Sequence, residues 1–374
     1  MRLRVERQEF VDAVGWVTRA AGARPSLPAL AGVLLDASSG RLTLGSTDLE
    51  MAAETAIPAT IERDGRVLLA ARFLAQLVAR FPDAPVEIED DGERVRLSCG
   101  KATFRVRRLN AEDFPSLPTT GPQAIRGVVK ADAFVRLVGQ VGRAAAGPDE
   151  GRPVLAGVRL EAADGRLTAA ATDTFRLATR SLAWDEPLVG EAIVPARALQ
   201  EAAKAAGEHG GTVAIVLDPG QVTFEFDDRR LTTRLIDGTY PPYRSLFPEA
   251  HEVTVTVDRD ALTEALQRIA VVASAQTNTP VLLSIEADGL DVRASNQEAG
   301  DAAERVDADV EGGAMEIAFN PTFLLAGLDA AGTPRVRLEL RDGLRAAVLR
   351  PASEDGSGGD VDDFLYLLMP MRVN

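Results

Sequence analysis

The chain of 374 residues contains one cysteine and two histidines. A single thiol, Cys99, permits no internal disulfide, which fits a reducing cytoplasm. Its setting, Arg96-Leu-Ser-Cys99, reads as a strand, so Cys99 is expected to be a buried structural thiol. Two histidines and one cysteine argue against a transition-metal site of the His/Cys kind, and no calcium or zinc spacing occurs. No GxxxxGK[ST] phosphate loop is present either. No apolar run is long enough to cross a membrane, and Met1–Glu6 does not read as a signal peptide. Basic residues are also short in supply, at 41 against 56 acidic ones, for a net charge of −15. A surface that grips phosphates is not suggested by that number. Hydrophobic content of 46% and charged content of 26% are those of a soluble globular protein.

What the chain does have is a repeat. PALAGVLLDASSGRLTLGSTD, from Pro28 to Asp48, returns as PVLAGVRLEAADGRLTAAATD, from Pro153 to Asp173. Leu30 pairs with Leu155, Gly40 with Gly165 and Thr47 with Thr172, each at an offset of 125. A weaker third copy, PVLLSIEADGLDVRASN, runs from Pro280 to Asn296. A period this long repeats a whole domain rather than a solenoid unit. The expected division is 1–122, 123–249 and 250–374, with boundaries where proline, glycine and charge interrupt the pattern near Gly121-Pro122 and Pro248–Glu252.

Each third opens with an amphipathic helix. Phe10, Val14, Val17 and Ala21 recur in spacing as Phe134, Val138, Val141, Ala145 and as Leu262, Leu266, Ile269, Ala273. Strands with hairpin turns at Ser38-Ser39-Gly40 and Ala163-Asp164-Gly165 follow, then a second helix and more strands. The fold class is therefore α+β, two helix-plus-sheet units in each of three domains. The acidic stretch 354–363, EDGSGGDVDD, reads as a flexible loop before the last strand.

Thr47-Asp48 and Thr172-Asp173 invite a catalytic reading. Catalysis would need an acid or nucleophile partner at short range; the chain offers only two histidines, and the third copy is aligned here with Asn296-Gln297 at that place. Side chains that cap a turn explain them better. The predicted helices (8–21, 72–80, 132–144, 197–206, 259–272, 321–330) carry nine basic and seven acidic residues, a balance of +2 that leaves −17 elsewhere. Near-neutral helices in an acidic chain can all face a polyanion. The terminal segment Phe364–Arg372 is apolar, with Phe364 to Leu368 a last strand and Met369-Pro370-Met371 beyond it. Proline ends pairing there, and flexible methionines at a surface suit a groove that accepts varied peptides.

With Arg24-Pro-Ser-Leu-Pro28, Ala171–Ala178 (ATDTFRLA), Asp237–Arg244 (DGTYPPYR) and Tyr366–Arg372 (YLLMPMR) on this threefold frame, the chain resembles the bacterial sliding clamps, the beta subunits of the replicative DNA polymerase III. The resemblance covers essentially the whole sequence. It implies a head-to-tail homodimer whose six domains close a ring, helices lining the hole and antiparallel sheets forming the outer wall. Double-stranded DNA is encircled without sequence readout; no catalytic site, cofactor, metal or membrane is implied. Partners would be the replicative polymerase, the clamp loader and other proteins with a clamp-binding motif.

The family's peptide groove carries over to Leu155, Thr172, Thr174, Phe175, Arg176, Leu177, Pro241, Leu246, Leu367, Met369, Pro370, Met371 and Arg372. Many relatives have Gly-His where this chain has Thr174-Phe175. DNA-facing positions carry over to Arg24, Arg72, Arg152 and Arg197, and the dimer seam to Phe104 with Val271 and Val272. Two alternatives stay beside this reading. One is an enzyme on an unrelated triplicated scaffold, which should show a repeated catalytic dyad and does not. The other is a paralogous clamp conferring resistance to a clamp-binding antibiotic.

Overall fold

The structure is a computed structural model, and it describes every residue except 24, 148–149, 185–189, 274–278, 354–362 and 373–374. The first copy comprises β1 (Arg2–Val5), α1 (Arg7–Val17), β2 (Gly32–Asp36), β3 (Leu42–Thr47), β4 (Met51–Ile57), β5 (Thr60–Arg63), β6 (Arg66–Ala70), α2 (Ala71–Val78), β7 (Val86–Asp90), β8 (Arg94–Cys99) and β9 (Ala102–Arg107). The second comprises β10 (Ile125–Lys130), α3 (Ala131–Val141), β11 (Gly157–Ala163), β12 (Arg166–Thr172), β13 (Arg176–Ala183), β14 (Gly190–Pro195), α4 (Ala196–His209), β15 (Thr212–Asp218), β16 (Gln221–Phe226) and β17 (Arg229–Arg234). The third comprises β18 (Val253–Asp258), α5 (Arg259–Ala273), β19 (Val281–Glu286), β20 (Gly289–Asn296), β21 (Gly300–Val306), β22 (Ala308–Glu311), β23 (Met315–Phe319), α6 (Pro321–Ala331), β24 (Arg335–Leu340), β25 (Ala347–Ala352) and β26 (Leu365–Leu368). All six helices lie within a few residues of the expected segments. Cys99 is buried at the end of β8, where burial pushes its thiol pKa up, in keeping with a structural role.

The sheets do not respect the copies. One runs β10-β15-β16-β17-β4-β3-β2-β6 and another β14-β11-β12-β13-β26-β25-β24-β18-β22, each joining half of the central copy to half of a neighbour. All their pairings are antiparallel. The chain accordingly forms two compact units, residues 1–132 with 201–235, and residues 133–200 with 236–374. Two shorter sheets, β5-β1-β7-β8-β9 in the first unit and β21-β20-β19-β23 in the second, are the others among the described residues.

The repeat makes the joins comparable position by position. Phe104, Leu231 and Tyr366 stand at one place in their copies, opposite Leu97, Phe224 and Leu349 on the preceding strand. Leu231 is paired across a join with Ala53, and Tyr366 with Ala178. Both are fully buried, whereas Phe104 on the edge strand β9 is 37% exposed. Tyr366 is admitted by Gly327 of α6, where an added Cβ would lie 2.6 Å from the ring. A mid-helix glycine costs about 0.5–1 kcal/mol, and the buried aromatic ring offsets it. The helix ends beside each join are held ionically. Arg19 reaches Glu208 at 2.5 Å and Glu201 at 3.6 Å, and Arg143 reaches Asp329 at 2.6 Å. Arg19 and Arg143 are thus engaged by carboxylates of their own chain.

The turn after Thr47, and its repeat after Thr172, is built by its own side chains. Asp48 Oδ1 accepts from Glu50 N and Met51 N, and Asp173 Oδ1 from Phe175 N and Arg176 N. In the third copy Asn296 Oδ1 accepts from Glu298 N and Ala299 N. Ser295-Asn296, not Asn296-Gln297, is thus the counterpart of Thr-Asp, a correction of one residue. An amide oxygen serves as well as a carboxylate because only acceptance is required.

Candidate partner-binding groove

The second unit carries an open cavity of about 880 Å³ beside the β13–β26 join. Its floor is Leu177 and Leu367, directly opposite each other across that join. They belong to a buried cluster with Ala170, Ile193, Tyr240 and Tyr243. One wall is the turn holding Thr172, Thr174 and Arg176; the facing wall is Pro241 and the short 3-10 helix Tyr243–Leu246.

Polar contacts fix the first wall. Thr172 N donates to Tyr240 Oη at 3.1 Å, and burial pushes the Tyr240 phenol pKa up, so it stays neutral. Thr174 is held at φ 80°, a left-handed conformation that a β-branched residue rarely adopts. Thr172 Oγ1 stabilises it by accepting Thr174 N at 3.1 Å. Arg176 donates through Nε to Asp173 Oδ2 at 2.8 Å, and its guanidinium lies 4.6 Å from the Phe323 ring centre. Burial opposes the charge on Arg176, but Tyr366 and Asp173 outweigh it and hold its pKa above the ordinary value. The cation is therefore permanent at the groove's edge.

Of the residues expected here, Thr172, Thr174, Arg176, Leu177, Pro241, Leu246, Leu367 and Met369 line the cavity. Leu155 is buried, and does not line it. Phe175 stands outside the lining, 61% exposed, stacked on Phe323 at 6.3 Å. Pro370, Met371 and Arg372 also lie outside it. Strand pairing ends at Leu368, ahead of Pro370, as expected, but the tail keeps backbone hydrogen bonds beyond it. Met369 N donates to Phe175 O at 2.9 Å and Met371 N to Ala318 O at 2.8 Å, because the tail crosses to a new acceptor after Pro370. Sequence reasoning missed a third wall, Arg341, Leu344, Arg345 and Ala346 in the β24–β25 connection. Leu344, at 77% exposure, was the available signal, a large apolar residue in a turn of charged and glycine neighbours. It also missed Arg244, Ser245, Phe247, Pro248 and Glu249, which flank Leu246.

Elsewhere, Arg72 on α2, Arg197 on α4 and Arg152 before its 3-10 turn are exposed, while Arg24 lies outside the described residues. So does most of the acidic stretch, though Asp363 pairs with Arg166. Val271 on α5 is exposed and Val272 half-buried. Among the described residues no cluster of three or more His, Cys, Asp or Glu could hold a metal ion, and no helix is long and apolar enough to cross a membrane.

Known proteins share this arrangement along the whole chain. Residues 1–118 match the DNA polymerase III beta subunit N-terminal domain, 128–242 its central domain and 244–372 its C-terminal domain. The beta sliding clamp of Streptomyces coelicolor is 40% identical over 385 residues, with 100% of both chains covered. A beta sliding clamp homolog, GriR, from Streptomyces muensis is 33% identical over 379 residues, again with 100% of both covered. The Bacillus subtilis DNA polymerase sliding clamp superposes with a TM-score of 0.94 at 27% identity, covering 100% of each chain. A Pseudomonas aeruginosa sliding clamp solved bound to griselimycin gives 0.91 at 29% identity, also covering 100% of each. Three family domains in their order and full-length relatives place the chain in one family: it belongs to the DNA polymerase III beta subunits, the bacterial beta sliding clamps.

Proposed function

We propose that two copies of this chain, each with clamp domains 1–122, 123–249 and 250–374, close head to tail into a ring around double-stranded DNA. The ring works in the cytoplasm as a processivity factor, without a catalytic site or cofactor of its own. It tethers the replicative polymerase, and is handled by the clamp loader, through peptides seated in the groove beside Leu177 and Leu367.

One observation carries this reading: two of three equivalent joins are made within the chain, and the edges for the third, β9 and β21, stand at the ends of separate sheets. Ala53, Ala178 and Ala302 are equivalent, opposite Ser46, Ala171 and Ala294. Leu231 meets Ala53 and Tyr366 meets Ala178, so Phe104 meets the partner's Ala302. The same antiparallel register sets Arg105 opposite the partner's Asp301. Where Arg19 and Arg143 form ion pairs beside the inner joins, the repeat places Val271 at the third. That seam is therefore sealed by apolar contact around Phe104, Val271 and Val272. Charge supports head-to-tail association. Residues 1–122 hold 16 basic and 17 acidic groups, residues 250–374 hold 10 and 22, so a near-neutral end meets an acidic one.

DNA is held topologically, so an acidic protein needs only weak, mobile contacts from exposed cations such as Arg72, Arg152 and Arg197, and from Arg24. A tight phosphate grip would obstruct sliding.

The test is a disulfide across the seam. Thr103→Cys with Ala303→Cys places two thiols directly opposite in the proposed register. Oxidation should give a covalently closed dimer that stays on nicked circular DNA and is lost when the circle is cut. A stable monomer, or retention that survives linearisation, would refute the ring. Resistance to a clamp-binding antibiotic remains the second reading, supported by the likeness to the GriR homolog.

A further inference from the structure

The repeat implies a second groove in the first unit, beside the β17–β4 join. The equivalents of Leu177 and Leu367 there are Ala52 and Thr232, which face each other across the strands. Yet the space left between Ala52, Thr232 and their neighbours is about 10 Å³, against about 880 Å³ in the second unit. The chain itself fills it. Leu117 and Pro118, from the segment that leads out of the first domain, line the remnant.

The fit is built rather than incidental. Leu117 sits on Gly45 of β3, where an added Cβ would lie 2.4 Å from Leu117 Cδ1. The second copy has Ala170 at that position, 125 residues on, within the cluster under the open groove. Leu117 also packs against the core of Ala29, Leu34, Leu68 and Phe114. The segment beyond it is pinned by three polar bonds. Gln221 Nε2 donates to Thr119 O at 2.9 Å, Arg230 Nη2 to Thr120 Oγ1 at 2.7 Å, and Gly121 N to Asp218 Oδ2 at 2.7 Å. Asp218 and Gln221 bound the tight β15–β16 turn. In the third copy the equivalent connection is longer and raises Leu344 as a wall of the open groove.

We infer that Leu117–Gly121 is an intramolecular occupant of a latent peptide site, and that each chain therefore offers one groove to partners instead of two. This rests on the reading of the second-unit cavity as a peptide groove. The latent site accepts a leucine side chain flanked by proline over the small residues Ala52 and Thr232, with Glu54 and Arg230 beside the space that remains.

The experiment uses the full-length protein and the probe acetyl-Pro-Ser-Leu-Pro-amide at millimolar concentration. Leu117→Ala should lower the melting temperature, and the probe should restore it by about 2 °C more than any shift it causes in the unmutated protein. A leucine that serves packing alone would give a variant no more responsive to the probe than the unmutated chain, and that result overturns the inference. Gly45→Ala provides a second route should Leu117→Ala fail to fold. Its added methyl should expel Leu117, speed amide exchange at Gly121 and produce the same excess probe response. Unchanged exchange and response in Gly45→Ala would likewise overturn it. A polymerase-derived peptide titrated into the unmutated protein tests the open groove separately. No binding there sinks the groove reading, whereas a missing excess response in the variants sinks only the latent site.

Discussion

Deleting Met369–Asn374 removes Met369, the one expected tail residue beyond β26 that lines the groove, and leaves β26 in place. Met369 lines the cavity while 45% exposed, so a peptide side chain resting on it covers what remains open. Full burial of an apolar side chain contributes about 1.5–3 kcal/mol, and losing about half of one such contact is worth roughly 1 kcal/mol. The exposed Phe175 beside the tail also loses the Met369 N bond to its carbonyl, so the rim loosens. Together these should weaken a polymerase-derived peptide by about tenfold, or about 1.4 kcal/mol. The stability cost is separate. Two backbone hydrogen bonds, from Met369 N and Met371 N, disappear, at roughly 0.5–1.5 kcal/mol each. Tyr366, Leu367 and Leu368 stay buried and keep the strand paired. Titration calorimetry gives the affinity, with light scattering and a thermal melt on the same sample. Unchanged affinity in an intact dimer would refute the assignment of the groove. Should the truncation lose its dimer, Met369→Ser isolates this side chain without touching the backbone bonds.

Two further outcomes are expected. Val272→Glu should convert the dimer to monomers in light scattering, because an unpaired carboxylate at an apolar seam carries a penalty of several kcal/mol; a dimer of unchanged strength would move the seam elsewhere. Arg197→Glu should reduce loading onto nicked circular DNA modestly and leave dimerisation intact, since one contact in a water-filled hole is well screened; unaltered loading would mean that Arg197 does not face the DNA.

The threefold repeat was legible because Gly40, Gly165 and the flanking leucines meet local demands. A left-handed turn needs glycine, and φ is 76° and 72° at those two positions. Helix positions were legible for the same local reason, the spacing of Phe10, Val14 and Val17 and their repeats on one buried face. The turn role of Asp48 and Asp173 could be read from chemistry alone, since the chain has only two histidines and an Asp side chain readily caps a turn. Its third member, Asn296, was misplaced by one residue because β20 and β21 pair with a register that no local signal announces.

The tertiary structure alone decided which strands would be joined. Nothing in β17 names β4 as its neighbour, yet that pairing carries the sheet from one copy into the next. Pairing partners depend on edges brought together from far along the chain, and every edge offers the same backbone donors and acceptors. The same reason hid the β24–β25 wall of the groove, and it hid the difference between the two grooves. Leu117 reads as an ordinary linker residue until Gly45, 72 positions earlier, is seen beneath it. A missing side chain on one strand and a leucine on a distant segment become one fact only when the fold superposes them.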